Sequence, residues 1–176
     1  MKPIFLIGYM CSGKTTLGRA LAAATGVRFI DLDDMVEEMA GCTVSEIFAS
    51  KGESAFRALE REALGRAAAT PGGALIACGG GTPCQPGNME LMNSCGLTVQ
   101  LTVEHSRLMN RLREGRARRP LIAALADDEL EEFITAQMEK RRGKYDMATA
   151  TFDSSLLENE QEIAATVEKF KQQFML

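Results

Sequence analysis

The amino-acid sequence predicts an α/β layered fold, a five-stranded parallel sheet flanked by helices, and three observations carry that expectation. Short apolar runs alternate with helix-period segments along the whole chain. A glycine-rich loop, Gly8-Tyr9-Met10-Cys11-Ser12-Gly13-Lys14-Thr15-Thr16, lies between the first apolar run and the first helical segment. It fits the phosphate-binding pattern G-x-x-x-x-G-K-[ST] at every fixed position. Gly8, Asp31, Gly79 and Asp153 all fall just past predicted strand ends, the rim where parallel sheets bind ligands.

The elements follow in order. Ile4 to Ile7 reads as a buried strand, and residues 14 to 25 as the helix that the loop requires behind it. Arg28 to Asp31 is the second strand. Several helices over 33 to 69 replace a single crossover, one of them opened by the capping-box spacing Thr43-Val44-Ser45-Glu46. Another, from about Glu53, turns Phe56, Leu59 and Ala63 inward and sets Arg57 beside Glu60. Strands then follow at Leu75 to Cys78 and Leu97 to Val103, with a helix from 104. A helix over about 127 to 142, a strand near Ala148 to Phe152 and a helix over about 159 to 173 close the chain.

The 176 residues suit one domain, 1–176, with an acceptor lobe at about 32–66 and a lid at about 113–126. A net charge of −4 argues against a general nucleic-acid or membrane-surface binder. Five cysteines, Cys11, Cys42, Cys78, Cys84 and Cys95, form no C-x-x-C pair, which suits reduced thiols in a cytoplasm. No stretch has the length of a membrane span or a signal-peptide core, so a cytoplasmic, unexported monomer is expected. His105 is the only histidine, which leaves little for a Ser-His-Asp hydrolase or a histidine-rich metal site. The chemistry must rest on carboxylates, arginines, a lysine and a bound metal ion.

Those groups form a parts list for phosphoryl transfer. Backbone amides of Cys11, Ser12 and Gly13, with Thr16 behind them, can cradle phosphate oxygens. Lys14 reaches the outer phosphates of ATP, and Thr15 offers its hydroxyl to Mg²⁺. Asp31 and Asp33, read as two residues apart on extended backbone, can both face the rim. One would stand near the metal and the other would accept a hydrogen bond from an acceptor hydroxyl; Asp33 or Asp34 could instead cap the following helix. Gly79, Gly80 and Gly81 would expose bare backbone to a substrate ring, or else form a plain turn. Half of the lysines and arginines lie in two clusters, 107–119 and 140–144, with no aromatic residue in the first for stacking a base. Arg119, in a break set by Pro120, would close over the phosphates; Arg111 would join the nucleotide, and Arg57 and Arg141 would hold an acceptor carboxylate.

In this ordered set the chain resembles the shikimate kinase family. The resemblance rests on the loop Gly8 to Thr15, Phe29-Ile30-Asp31-Leu32-Asp33, Gly52-Glu53-Ser54-Ala55-Phe56-Arg57, Gly79-Gly80-Gly81, Arg119-Pro120-Leu121 and Arg141 with Tyr145. It implies a three-layer P-loop kinase fold with a lid and a substrate-binding lobe. It also implies transfer of the ATP γ-phosphoryl group to the 3-hydroxyl of shikimate, in aromatic amino-acid biosynthesis. Lys14, Asp33 and Arg119 would be catalytic, and Thr15 with Asp31 would hold Mg²⁺. Asp33, Arg57, the three glycines and Arg141 would bind shikimate; Ser154 is the expected contact toward the base. The chain departs from the family at Cys11, where glycine is more usual, and at Gly143-Lys144, where proline often follows. Rival readings are a kinase for gluconate or a nucleoside monophosphate, and a binding module that uses ATP as a switch.

Overall fold

The computed structural model describes residues 1–116 and 122–176. Five parallel strands, β1 (Ile4–Ile7), β2 (Phe29–Asp31), β3 (Leu75–Ala77), β4 (Leu97–Thr102) and β5 (Ala150–Asp153), lie in the order β2-β3-β1-β4-β5. In β1 every residue is buried, because the central strand of a parallel sheet is covered on both faces. Its side chains alternate between two cores: Phe5 and Ile7 join one, Ile4 and Leu6 the other. Helices α1 (Lys14–Thr25) and α7 (Glu160–Phe174) cover the second face. Helices α2 (Leu32–Ala40), α3 (Val44–Ala68), α4 (Asn88–Cys95), α5 (His105–Glu114) and α6 (Asp127–Tyr145) cover the first. The result is the three-layer arrangement expected.

The helix starts obey local rules. Thr43 Oγ1 accepts from the Glu46 amide at 3.2 Å while Glu46 Oε2 accepts from the Thr43 amide at 2.7 Å, the reciprocal capping box. α3 is interrupted at Gly52, whose φ of 78° only glycine adopts freely, so the chain bends just before Glu53 and Arg57. Helix α1 lies so close to β2 that a Cβ on Gly18 would come within 2.3 Å of Phe29.

Three boundaries differ from expectation. Helix α2 begins at Leu32, so Asp33 lies in its first turn rather than on extended backbone, and Asp31 is the capping residue instead of Asp33 or Asp34. β5 starts two residues later than expected, because the Ala148 amide still closes the turn out of α6 and the Thr149 amide donates to Thr98 Oγ1 rather than to a strand partner. Helix α6 continues through Gly143 to Tyr145. The short helix α4 and the 3₁₀ turn at Thr82–Cys84 are too brief to show a helical period, and the sequence pattern does not reveal them.

Candidate active site

The phosphate loop is built from backbone that ordinary residues avoid. Gly8 (φ 146°) and Gly13 (φ 89°) take positive φ, and so does Cys11 at 62°. Cys11 therefore occupies a left-handed position that favours glycine, and the loop keeps its turn with a side chain in place. A Cβ on Gly8 would lie 2.7 Å from the Leu101 carbonyl oxygen, so that residue answers both to conformation and to space. Lys14 Nζ donates to the carbonyls of Gly8 (2.9 Å) and Tyr9 (2.7 Å), which hold the ammonium against the floor of the loop. Burial pushes its pKa down to about 8, with partial compensation from nearby acidic groups that include Asp33 and Asp31.

Asp31 joins the second strand to this loop. Its Oδ2 accepts from Thr15 Oγ1 at 2.7 Å, and its Oδ1 accepts from the Asp33 amide at 3.2 Å. One carboxylate thus caps α2 and places two oxygens, one hydroxyl and one carboxyl, side by side behind Lys14. Mg²⁺ takes hard oxygen donors and commonly uses one or two from the protein with the rest from phosphate and water. The Thr15–Asp31 pair fits that demand. Among the described residues no cluster of three or more metal-binding side chains occurs.

Asp33 faces the other way, into a cavity of about 170 Å³ that it shares with Arg57, Glu60, Gly79, Gly80, Gly81 and Arg141. Its pKa is pushed up to about 6, first by burial and then by the like charges of Asp31 and Glu60, against the pull of Lys14. None of the three glycines takes a positive φ. What they leave is room for side-chain tips: a Cβ would stand 3.2 Å from Asp33 Oδ1 at Gly79, 3.3 Å from Arg141 Nη1 at Gly80 and 2.8 Å from Arg57 Nη2 at Gly81, so a side chain there would push these groups aside. Three polar side-chain tips converge on bare backbone, as a substrate-binding surface would need.

Arg57 is aimed by a network. Its Nη1 donates to Glu60 Oε2 at 2.9 Å, and Glu60, 1% exposed, also accepts from Thr82 Oγ1 at 2.6 Å. Glu53 Oε1 accepts from Nε at 3.3 Å and from Nη2 at 3.1 Å. The Glu60 pairing was expected. The Glu53 contact was not, although a spacing of four residues on one helix was a usable signal. Arg141 lies with its guanidinium carbon 5.2 Å from the centre of the Tyr9 ring, and Tyr145 donates to the Gly80 carbonyl at 2.7 Å, bracing the glycine run from α6.

On the opposite side of the loop a cavity of about 580 Å³ is bounded by Cys11, Gly13, Thr16, Arg111, Leu157 and Glu158. Arg111 Nη2 donates to the carbonyls of Ser154 (3.2 Å) and Ser155 (2.7 Å), and Nη1 to that of Cys11 (3.3 Å). Arg111 also pairs with Glu158 at 2.9 Å. Desolvation opposes ionisation of Glu158, yet side-chain hydrogen bonding with Glu162, and hydrogen bonds from Arg111 and the Leu157 amide, hold its carboxyl well below the usual range. Ser154 is fully buried and its hydroxyl donates to the Ser12 carbonyl at 2.7 Å. Its side chain braces the loop from beneath rather than lining the cavity, where Leu157 and Glu158 stand instead, residues that the sequence pattern did not single out. Arg119 lies outside the described residues.

Comparison with known proteins agrees on family and fold. The family model described as shikimate kinase matches residues 10–172. A shikimate kinase of Phocaeicola vulgatus is 44% identical over 171 residues, 97% of each chain. The crystal structure of shikimate kinase from Bacteroides thetaiotaomicron superimposes with a TM-score of 0.93 at 42% identity, covering 99% of both chains. That of Acinetobacter baumannii in complex with shikimate gives 0.83 at 28% identity, covering 99% of this chain and 93% of that one.

Proposed function

This chain belongs to the shikimate kinase family, and from that premise we infer that its rim carries the γ-phosphoryl group of ATP to the 3-hydroxyl of shikimate. It is an ATP-dependent phosphotransferase with an alcohol acceptor. The observation that carries the assignment of roles is the convergence of Asp33, Arg57, Arg141 and three substituent-free glycines on one cavity, with Lys14 close enough to Asp33 to pull its pKa down.

Phosphoryl transfer has a loose transition state, so placement and charge neutralisation outweigh a strong base. Asp33 accepts the hydrogen bond of the attacking hydroxyl and fixes its direction. Arg57 and Arg141 hold the acceptor carboxylate, and the bare backbone at Gly79 to Gly81 receives the ring. Backbone amides from Cys11 to Thr16 seat the phosphates, and Lys14 swings from its carbonyl anchors to the outer ones. Mg²⁺, which the family uses with ATP, would be held by Thr15 and Asp31 and supply positive charge at the phosphate oxygens. Arg111 bounds the nucleotide cavity. Arg119 is proposed, from the sequence alone, to neutralise the group in transit.

The acceptor lobe at about 32–66 and the lid at about 113–126, of which 117–121 lie outside the described residues, would serve this division of labour within a single unit, which we take to work as a cytoplasmic monomer. Among the described residues no helix is long and apolar enough to cross a membrane. A coupled assay is the test: ADP release must depend on shikimate and be weak with gluconate. In Asp33→Ala and Arg57→Ala, turnover should fall at least about 100-fold while ATP still binds, in line with loss of a group acting at the transition state. Normal rates in either variant refute these roles.

A further inference from the structure

Arg57 carries one positive charge between two carboxylates that differ in kind. Glu60 is buried at 1% exposure and tied to Thr82, so it belongs to the fixed frame. The Glu53 side chain is 66% exposed, follows directly on the bend at Gly52, and engages Arg57 with a single oxygen across Nε and Nη2. That side of the guanidinium is one of its two forks suited to a carboxylate. Glu53, Arg57, Arg141, Tyr9 and Phe48 also line the approach to the acceptor cavity, a space of about 320 Å³. Arg141 lines the same space, so a carboxylate brought there meets Arg141 together with an Arg57 that already holds two carboxylates, only one of them fixed.

We propose that Glu53 is a place-holder anion for the acceptor carboxylate: it keeps Arg57 neutralised and oriented, and is given up when a carboxylated acceptor binds. This rests on the reading of Arg57 as the carboxylate contact. It makes Glu53 a positioning residue that weakens the hold on acceptor and product alike, both of which carry the same carboxylate. The hinge-like glycine before it and its exposure let the side chain turn to solvent at little cost.

Isothermal titration of the full-length Glu53→Gln protein with shikimate tests this. The Kd should fall about two- to five-fold, the size of one exposed ion pair released, while the Kd for ATP stays the same. Glu53→Asp, which keeps the charge but withdraws it by one methylene, should fall between. The carboxamide of shikimate, which has no anion to compete, should bind wild type and Glu53→Gln equally. A shikimate Kd that is unchanged or raised in Glu53→Gln, in a variant whose melting temperature shows it folded, overturns the proposal. If the wild type binds shikimate and its carboxamide alike, the carboxylate reading of Arg57 is what failed, and the proposal falls with it.

Discussion

Asp33 is a carboxylate kept among carboxylates, and its raised pKa links activity and stability in opposite directions. As the hydrogen-bond acceptor for the attacking hydroxyl it must be ionised, so kcat/KM for shikimate should fall as pH drops through about 6, the value reached in the fold. For stability the sign reverses. Between the ordinary carboxylate range and about 6 the folded protein binds the proton more tightly than the unfolded chain, so this residue's contribution worsens as pH rises through that window. Asp33→Asn should therefore raise the melting temperature above pH 6, with the gain shrinking toward pH 4, while abolishing turnover. A melting temperature that drops equally at all pH values would show instead that the carboxylate is structural. Cys11 makes a second residue-scale case. At φ 62° a β-branched side chain is strained, so Cys11→Val should lose about 1–3 kcal/mol in chemical denaturation, and Cys11→Gly should lose little or nothing.

Among the elements, α1 is limited by contact and α6 by propensity. Alanine at Gly18 would gain some helix propensity but drive a methyl to 2.3 Å from the Phe29 ring. Overpacking of that kind outweighs the gain, and Gly18→Ala should destabilise by about 1–3 kcal/mol. Gly143 lies inside α6 with nothing within 4 Å of the added carbon, and Gly143→Ala should stabilise by about 0.5–1 kcal/mol. Urea denaturation of both variants decides whether packing or propensity governs each helix. The departure at Gly143 thus leaves a weak point in α6 rather than an altered end.

At the scale of the molecule, the two cavities lie on either side of one loop, and ligands entering either must stabilise the whole fold. Shikimate at 100 times its Kd should add about 2.7 kcal/mol to the unfolding free energy, and thermal shift should register it. Arg57→Ala should remove the shikimate shift and keep the ATP shift, because Arg57 belongs to one cavity and Arg111 to the other. Arg119→Ala should lower kcat with little change in shikimate Kd; a change confined to affinity would contradict its role at the transition state.

What could be read along the chain was whatever is local. The phosphate loop from Gly8 to Thr16, the capping box at Thr43 and Glu46, the five strands and the i,i+3 pairing of Arg57 with Glu60 all follow from spacing, since neighbours in sequence are neighbours in space there. Spacing puts Asp33 at the rim on the wrong local geometry, because Asp31 both ends the second strand and caps α2, which draws Asp33 into the first turn of the helix. Ser154 was expected to meet the base, yet its hydroxyl is taken by Ser12, a residue from the far end of the chain. By itself the sequence determined the layers, the loop and the kinds of group available. Only the tertiary structure decided which side chains share a cavity and how each ionises, because contacts across the sheet, burial and the summed field of nearby charges exist only once distant segments are packed together.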